Sequence, residues 1–443
     1  MSNATHAVAR DERTLNKLMF VKLMPLLIAA YVLSFLDRTN IALAKHQLDV
    51  DLGISAAAYG LGAGLFFLTY ALSEIPSNLI MHKVGARFWI ARIMVTWGLI
   101  SAAMAFVQGE TSFYVLRLLL GIAEAGLFPG VMLYLTYWFN REQRARATGY
   151  FLLGVCFANI IGGPLGAALM RLDGMMGWHG WQWMFVLEGL PAVAFAWVVW
   201  RKLPDRPSKA SWLSTEEAHG IEQRIAKETE EGAGSGGHSI KHCLTPQILL
   251  AIFVYFCHQI TVYTVIFFLP SIIGRYGEMS TMSVGLLTSL PWIAAAVGAV
   301  LLPRYATGAR RARHMLVAGL LIMAVGLVIA AVSGPAISLM GFCLSAVMFF
   351  VVQSIIFLYP ASRLKGVALA GGLGFVNACG LLGGFVGPSV MGAIEMSTGD
   401  ALNGLKVIAV VLVIAALAAL RLRQGHESAP SKGVVNQPAT EGV

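Results

Sequence analysis

Apolar residues run through this chain in long blocks separated by short polar loops. Crossing the hydrocarbon core of a bilayer takes about 20 apolar residues of helix. Blocks of that order fall at 19–44, 57–81, 88–107, 112–138, 147–170, 181–200, 247–270, 283–303, 314–332, 337–359, 366–392 and 401–421. The pattern predicts an all-α polytopic membrane protein with twelve transmembrane helices, six on each side of one polar segment. Its expected parts are an N-terminal segment (1–18), a six-helix bundle (19–200), a linker (201–246), a second six-helix bundle (247–424) and a disordered tail (425–443). Within the linker, Glu217 stands at capping-box spacing from Ser214 and predicts a short charged helix. The glycines at 232, 234, 236 and 237 follow it as a flexible stretch; with no strand before them and no Lys-Ser/Thr after, a phosphate loop is disfavoured.

Lys and Arg set the orientation. They gather in the loops after the second, fourth, eighth and tenth blocks: Lys83, Arg87 and Arg92; Arg141, Arg144 and Arg146; Arg304, Arg310, Arg311 and Arg313; Arg363 and Lys365. The alternate loops carry Lys45, Arg171, Arg275 and Lys406 at most. Both termini and the linker are therefore expected in the cytoplasm. The first twenty residues are polar and lack the form of a cleavable signal, so the first block is expected to remain as a helix.

Composition agrees: 57% of the residues are hydrophobic and 12% charged, against about 25% charged in soluble domains, and mean hydropathy is +0.71. The net charge of +9 lies in topology-setting loops, which excludes a nucleic-acid surface. Cys156, Cys243, Cys257, Cys343 and Cys379 are odd in number and lack zinc-like spacing, so neither a disulfide framework nor a metal site is implied. No nucleotide, metal or Ser/His/Asp motif stands out, so neither an enzyme nor a cofactor is expected.

Two blocks carry charge where charge is expensive. Tyr31 to Lys45 contains Asp37 and Arg38; Leu116 to Gly130 contains Arg117 and Glu124. Insertion scales put such residues at roughly 2.5–3.5 kcal/mol each at a helix centre, and their usual reason is a substrate or ion pathway. Arg117 and Glu124 are seven positions apart and share one helix face. If the two helices meet, two carboxylates and two guanidiniums share one cavity, a chemistry for protons and an anion. Asp37 and Glu124 are the candidate proton-coupling acids, with structural ion pairs as the plainer alternative. Arg38 is the candidate receptor for a substrate carboxylate, by bidentate geometry, or else only the partner of Asp37. Arg117 is the expected charge partner of Glu124 and Asp37. Glu74 reads as a gate or helix-pair residue. Tyr70 in the second block, Tyr263 in the seventh, Gln353 in the tenth and Asn377 in the eleventh are candidate substrate-binding groups. His258 reads as a packing histidine.

The halves repeat. Gly85-Ala86-Arg87 and Gly308-Ala309-Arg310 are offset by 223 positions, Gly163-Pro164 and Gly387-Pro388 by 224, each pair at a matching place in its half. A parallel repeat with the site between the halves is a transporter plan.

From about Lys17 to Arg421 the chain resembles the major facilitator superfamily. FLDRTNIALAK, YALSEIPSNLIMHKVGAR, LRLLLGIAEAGLFPG, LYLTYWF and GFVNACGLLGGFVGP resemble its anion:cation symporter group, whose bacterial members carry rhamnonate, galactonate, tartrate, phthalate or 4-hydroxyphenylacetate. AYGLGAGLFF, VYTVIFFLP and SLPWIAAAVGAVLLPRY look nearest to the sugar-acid members. The resemblance implies a monomeric proton symporter importing a small organic anion across the lipid bilayer, with Asp37 as a coupling residue and Tyr70 facing substrate. It departs from the superfamily at His82, which stands at an acidic signature position, and at Leu381, which replaces a frequent Asn. An aromatic carboxylate is the rival substrate, and a membrane sensor the rival class.

Overall fold

A computed structural model describes residues 10–232, 244–277, 279–306, 308–364 and 366–424. Cys243, the glycines at 234, 236 and 237 and the 425–443 tail lie outside the described residues. Twelve helices are long and apolar enough to span a membrane: α1 (Glu12–Leu52), α2 (Ala56–Val84), α3 (Ala86–Phe106), α4 (Glu110–Thr136), α5 (Arg141–Leu172), α6 (Gly180–Lys202), α7 (Pro246–Gly274), α8 (Thr281–Tyr305), α9 (Ala309–Val332), α10 (Pro335–Ala361), α11 (Gly372–Thr398) and α12 (Leu402–Ala419). Each sequence block lies within or close to one of them. The helices overrun the blocks mainly at polar ends, where hydropathy fades before hydrogen bonding does. In α1 the extra turns bring Lys45, placed by sequence in a loop, onto the helix.

Among the described residues regular α-helix is interrupted inside four spans: α1 at Asn40, α4, α10 and α11 at Leu382. In α4 regular helix stops at Glu124 and resumes at Leu127, with Ala125 extended (φ −57°, ψ 133°) and Gly126 left-handed (φ +94°). The freed Ala125 carbonyl accepts from Ser77 Oγ at 2.7 Å, and Trp89 Nε1 donates to that same hydroxyl at 2.9 Å. α10 breaks between Ala346 and Phe349.

The linker helix, Thr215–Gly232, follows the expected capping box. Ser214 N donates to Glu217 Oε2 at 2.9 Å, and Glu217 N donates to Ser214 Oγ at 3.1 Å. It is tied to the first spans by Arg10–Glu217 at 2.9 Å, by an Arg224–Glu12 ion pair and by Trp138 stacked on Trp212. These mark one membrane face, called the linker face below.

Away from that face the first six spans press on the last six. A Cβ at Gly60 of α2 would stand 2.3 Å from Pro388 O of α11, and one at Gly163 of α5 would stand 2.4 Å from Gly285 O of α8. Only glycine allows backbones this near. Gly64, Gly383 and Gly387 make similarly close approaches, whereas Gly162 meets only side chains.

Candidate functional site

α1 carries its two central charges to opposite sides. Arg38, 5% exposed, turns toward α2 and α4. Its guanidinium pairs with Glu124 and lies over the rings of Phe35, Phe66 and Tyr70, at 4.5, 5.1 and 5.3 Å from their centroids. Ser34 Oγ donates to the same Glu124 oxygen at 2.5 Å. Arg38 Nε has no partner. The last six spans contribute Tyr263, whose ring meets Phe67 at 4.1 Å and whose hydroxyl feels the Arg38 charge. A buried cation thus has one carboxylate partner, a spare N–H and an aromatic enclosure.

Asp37 is elsewhere. It turns away from Arg38 into α3, where Trp97 Nε1 donates to Oδ2 at 2.7 Å and Ser101 Oγ donates to Oδ1 at 2.9 Å. It makes no ion pair among the described residues. The expected cavity of two acids and two guanidiniums is therefore corrected: neighbours in sequence on a helix point about 100° apart, and α1 uses both directions.

Arg117 is corrected as well. It pairs with neither Glu124 nor Asp37; Nε donates to Gly62 O and Nη2 to Ala63 O of α2, both at 3.1 Å. Both lie in the unbroken helix Glu110–Glu124, but seven residues at 1.5 Å each set them roughly 10 Å apart along it, and the long arginine side chain reaches the carbonyls of a neighbouring helix instead. Arg38 takes the place expected of Arg117.

A second polar set lies toward the linker face. Gln353 Nε2 donates to Tyr255 Oη at 3.2 Å, Tyr255 Oη donates to Asn377 Oδ1 at 3.3 Å, and Asn377 Nδ2 donates to Glu74 Oε1 at 3.4 Å. The structure thus joins Gln353 and Asn377 through Tyr255, a residue the sequence reading missed, and ends the chain of bonds on Glu74 of α2. Glu74 Oε2 is buried without a partner. His258 Nε2 lies 2.9 Å from Phe349 O and Nδ1 lies 3.1 Å from the Gln259 side-chain amide; a neutral ring donates to the carbonyl and accepts from the amide once that amide is turned.

Near the opposite membrane face, Lys45 of α1 pairs with Glu395 of α11, which also pairs with Arg275 at the end of α7. Tyr59 Oη donates to Phe267 O at 3.1 Å beside them. Sequence reasoning missed this set because Glu395 falls just past the eleventh block. It also missed Glu188, a buried acid in α6, although the rule that singles out Asp37 applies equally to it. Among the described residues no cluster of three or more His, Cys, Asp or Glu could hold a metal.

Comparison with known proteins follows this geometry. The chain is 40% identical over 429 residues to the "Putative tartrate transporter" of Agrobacterium vitis, covering 96% of this chain and 95% of the relative. It is 37% identical over 405 residues to the "Inner membrane transport protein RhmT" of Escherichia coli, covering 91% and 94%. It is 37% identical over 397 residues to the "Quinolone resistance transporter" of Acinetobacter baumannii, covering 88% and 91%. In fold it is similar to the D-xylose-proton symporter, with a TM-score of 0.72 at 13% identity over 91% of this chain and 98% of that one. With twelve spans and bacterial transporter relatives, this is a multi-pass inner-membrane protein and not an enzyme. Residues 27–388 match the model of the Major Facilitator Superfamily, and the chain belongs to that family.

Proposed function

We propose that this protein is a proton-coupled symporter importing a small organic anion, a sugar acid or tartrate-like hydroxy acid, by alternating access of two six-helix halves. The observation that carries the reading is the buried Arg38–Glu124 pair. Protonating Glu124 removes the only carboxylate paired with Arg38 among the described residues and frees the guanidinium for a substrate carboxylate. Proton and anion then load together. Asp37, held by neutral donors rather than by a cation, is the second proton seat. Import needs one: an anion entering a negative-inside cell works against roughly 2.3 kcal/mol per charge per 100 mV. Tyr70 and Tyr263 flank the carboxylate, Asn377 and Gln353 grip hydroxyls, and Arg117 holds α4 to α2. The linker face is cytoplasmic by its Lys and Arg excess, and the protein works as a monomer in the lipid bilayer.

The test is uptake of radiolabelled tartrate and monocarboxylic sugar acids into proteoliposomes under an imposed pH gradient, beside counterflow without one. Asp37→Asn and Glu124→Gln are expected to lose gradient-driven accumulation. Full accumulation in both variants would leave these acids as structural groups.

The aromatic shell of Phe35, Phe66, Phe67, Tyr70 and Tyr263 favours one second reading, an aromatic carboxylate as substrate. The carboxylate site is the same, and competition of 4-hydroxyphenylacetate against tartrate in the same vesicles separates the two.

A further inference from the structure

Glu188 of α6 is 4% exposed, and neither carboxylate oxygen has a hydrogen-bond partner. An ionised carboxylate buried in that condition is costly, because nothing replaces the water it lost. Among the described residues no cation pairs with it. Asn40 of α1 approaches it, yet both polar atoms of that amide also lack an aligned partner. Gly166 of α5 adjoins Glu188 Oε1: a Cβ there would meet that oxygen at an ordinary contact distance of 3.6 Å. The next residue, Gly189, packs against Gly98 and Ser101 of α3, the neighbour and the hydrogen-bond donor in the Asp37 cage. Asp37 is the charged group whose field reaches Glu188. Facing the pair are Asn40 from α1, Trp97 and Ser101 from α3, Gly166 from α5 and Met184 from α6, all neutral, and the charge that reaches Asp37 from α4 is a further carboxylate, Glu124. Among the described residues no Lys, Arg or His forms an ion pair with Asp37 or Glu188.

Two carboxyl groups within each other's field, buried and without a counter-charge, do not both ionise. We propose that Glu188 is a third proton-binding carboxylate of this transporter, coupled to Asp37 across a neutral compartment between α1, α3 and α6, with Asn40 as the amide that bridges them when the proton moves. The inference rests on the proton-coupled reading above and deepens it. Only O–H bonds change: a proton taken up by the pair from one aqueous face leaves to water at the other. Because Asp37 and Glu188 lie on the far side of α1 from Arg38 and Glu124, the two proton events use different walls of one helix, and movement of α1 links them.

The experiment reads Glu188 directly. Infrared difference spectra of the full-length protein in liposomes, stepped between acid and alkaline pH, report protonated carboxyl groups. The wild type is expected to show a band that disappears in Glu188→Gln, shifts in Glu188→Asp and titrates at a changed midpoint in Asp37→Asn. Spectra of Glu188→Gln and Glu188→Asp that superimpose on the wild type would overturn the proposal, as would a band that responds to sodium in place of choline, since the pair would then hold a metal cation. Should Glu188→Gln fail to fold, the Glu188→Asp spectrum decides alone. In parallel, the ratio of pH-driven tartrate accumulation to tartrate counterflow is expected to fall in Glu188→Gln. A wild type that shows the Glu188 band but no pH-driven uptake would defeat the symport reading and leave the proton site standing.

Discussion

Lys45 on α1 and Glu395 on α11 form a buried ion pair across 350 positions of sequence. Its two members are not equally dispensable. Arg275, half exposed, shares Glu395, so Lys45→Met leaves the acid neutralised. Glu395→Gln instead strands a buried lysine, a change that costs about 3–5 kcal/mol when no partner remains, while Arg275 keeps Asp400 at 3.8 Å. Thermal unfolding in detergent should therefore show a much larger loss for Glu395→Gln than for Lys45→Met. Both variants should also raise alkylation of a cysteine placed at Tyr59, because the contact that closes this face is weakened. Equal unfolding temperatures for the two would mean that Lys45 is hydrated in the membrane.

Arg38 and Arg117 look alike in sequence and should separate in assays. Arg38→Lys keeps the charge but loses the planar fork and the stacking on Phe35, Phe66 and Tyr70. Tartrate affinity by calorimetry should fall tenfold or more, about 1.4 kcal/mol. Arg117→Lys removes a fork spread over two carbonyls of α2, so it should lower the unfolding temperature while leaving the proton-to-substrate ratio as it was. A changed ratio in Arg117→Lys would restore this residue to the role that sequence spacing suggests.

The Arg10–Glu217 tether of the linker helix has a pH dependence of known sign. Burial of Glu217 raises its carboxyl, but the hydrogen bonds from Ser214 and Arg10 and the Arg10 charge outweigh it, and the group titrates below its ordinary value of 4.5. A carboxylate with a lowered folded-state value gives stability that is present above the unfolded value and lost as pH falls through the folded one. Docking of the linker helix should be intact at neutral pH and weaken below about pH 4.5, read as faster proteolysis within the linker. Glu217→Gln should show that faster cleavage already at neutral pH. Since Arg10 is partly exposed, the effect on global stability is small.

What the sequence made legible was everything that depends on hydropathy and local chemistry. Twelve spans, the Ser214–Glu217 cap and the cost of Asp37, Arg38, Arg117 and Glu124 in apolar surroundings can all be read from short windows. Partner choice could not. Whether Arg38 or Arg117 meets Glu124 depends on how α1, α2 and α4 are rotated against one another, which is set by packing among several helices. Glu188 was within reach of the same rule that found Asp37. Tyr255 was not, because a tyrosine in an apolar run gives no sign of its neighbours.

Gly126 gives the sharpest test of the broken helix. Its φ of +94° disfavours any side chain, and a Cβ there would stand 2.1 Å from Ser77 Oγ, the hydroxyl that holds the Ala125 carbonyl. Gly126→Ala thus combines backbone strain, on the order of 1–3 kcal/mol, with a clash. A double variant tests the part played by the hydroxyl. Ser77→Ala alone orphans the Ala125 carbonyl and costs about 1–3 kcal/mol. Once Ser77→Ala is present, adding Gly126→Ala escapes the hydroxyl but still meets the Cβ of residue 77 at 2.7 Å, so it should cost less than it does in the wild type, by the hydroxyl's share of the clash. Strain and the Cβ contact remain. If adding Gly126→Ala costs the same in both backgrounds, the Ser77 hydroxyl yields freely, and backbone conformation together with the Cβ contact selects glycine. The same variants should change substrate affinity through Glu124, which ends the first half of α4 one residue before the break. Calorimetric binding beside thermal unfolding then tells whether the break serves to aim Glu124 at Arg38 or only to bend the helix.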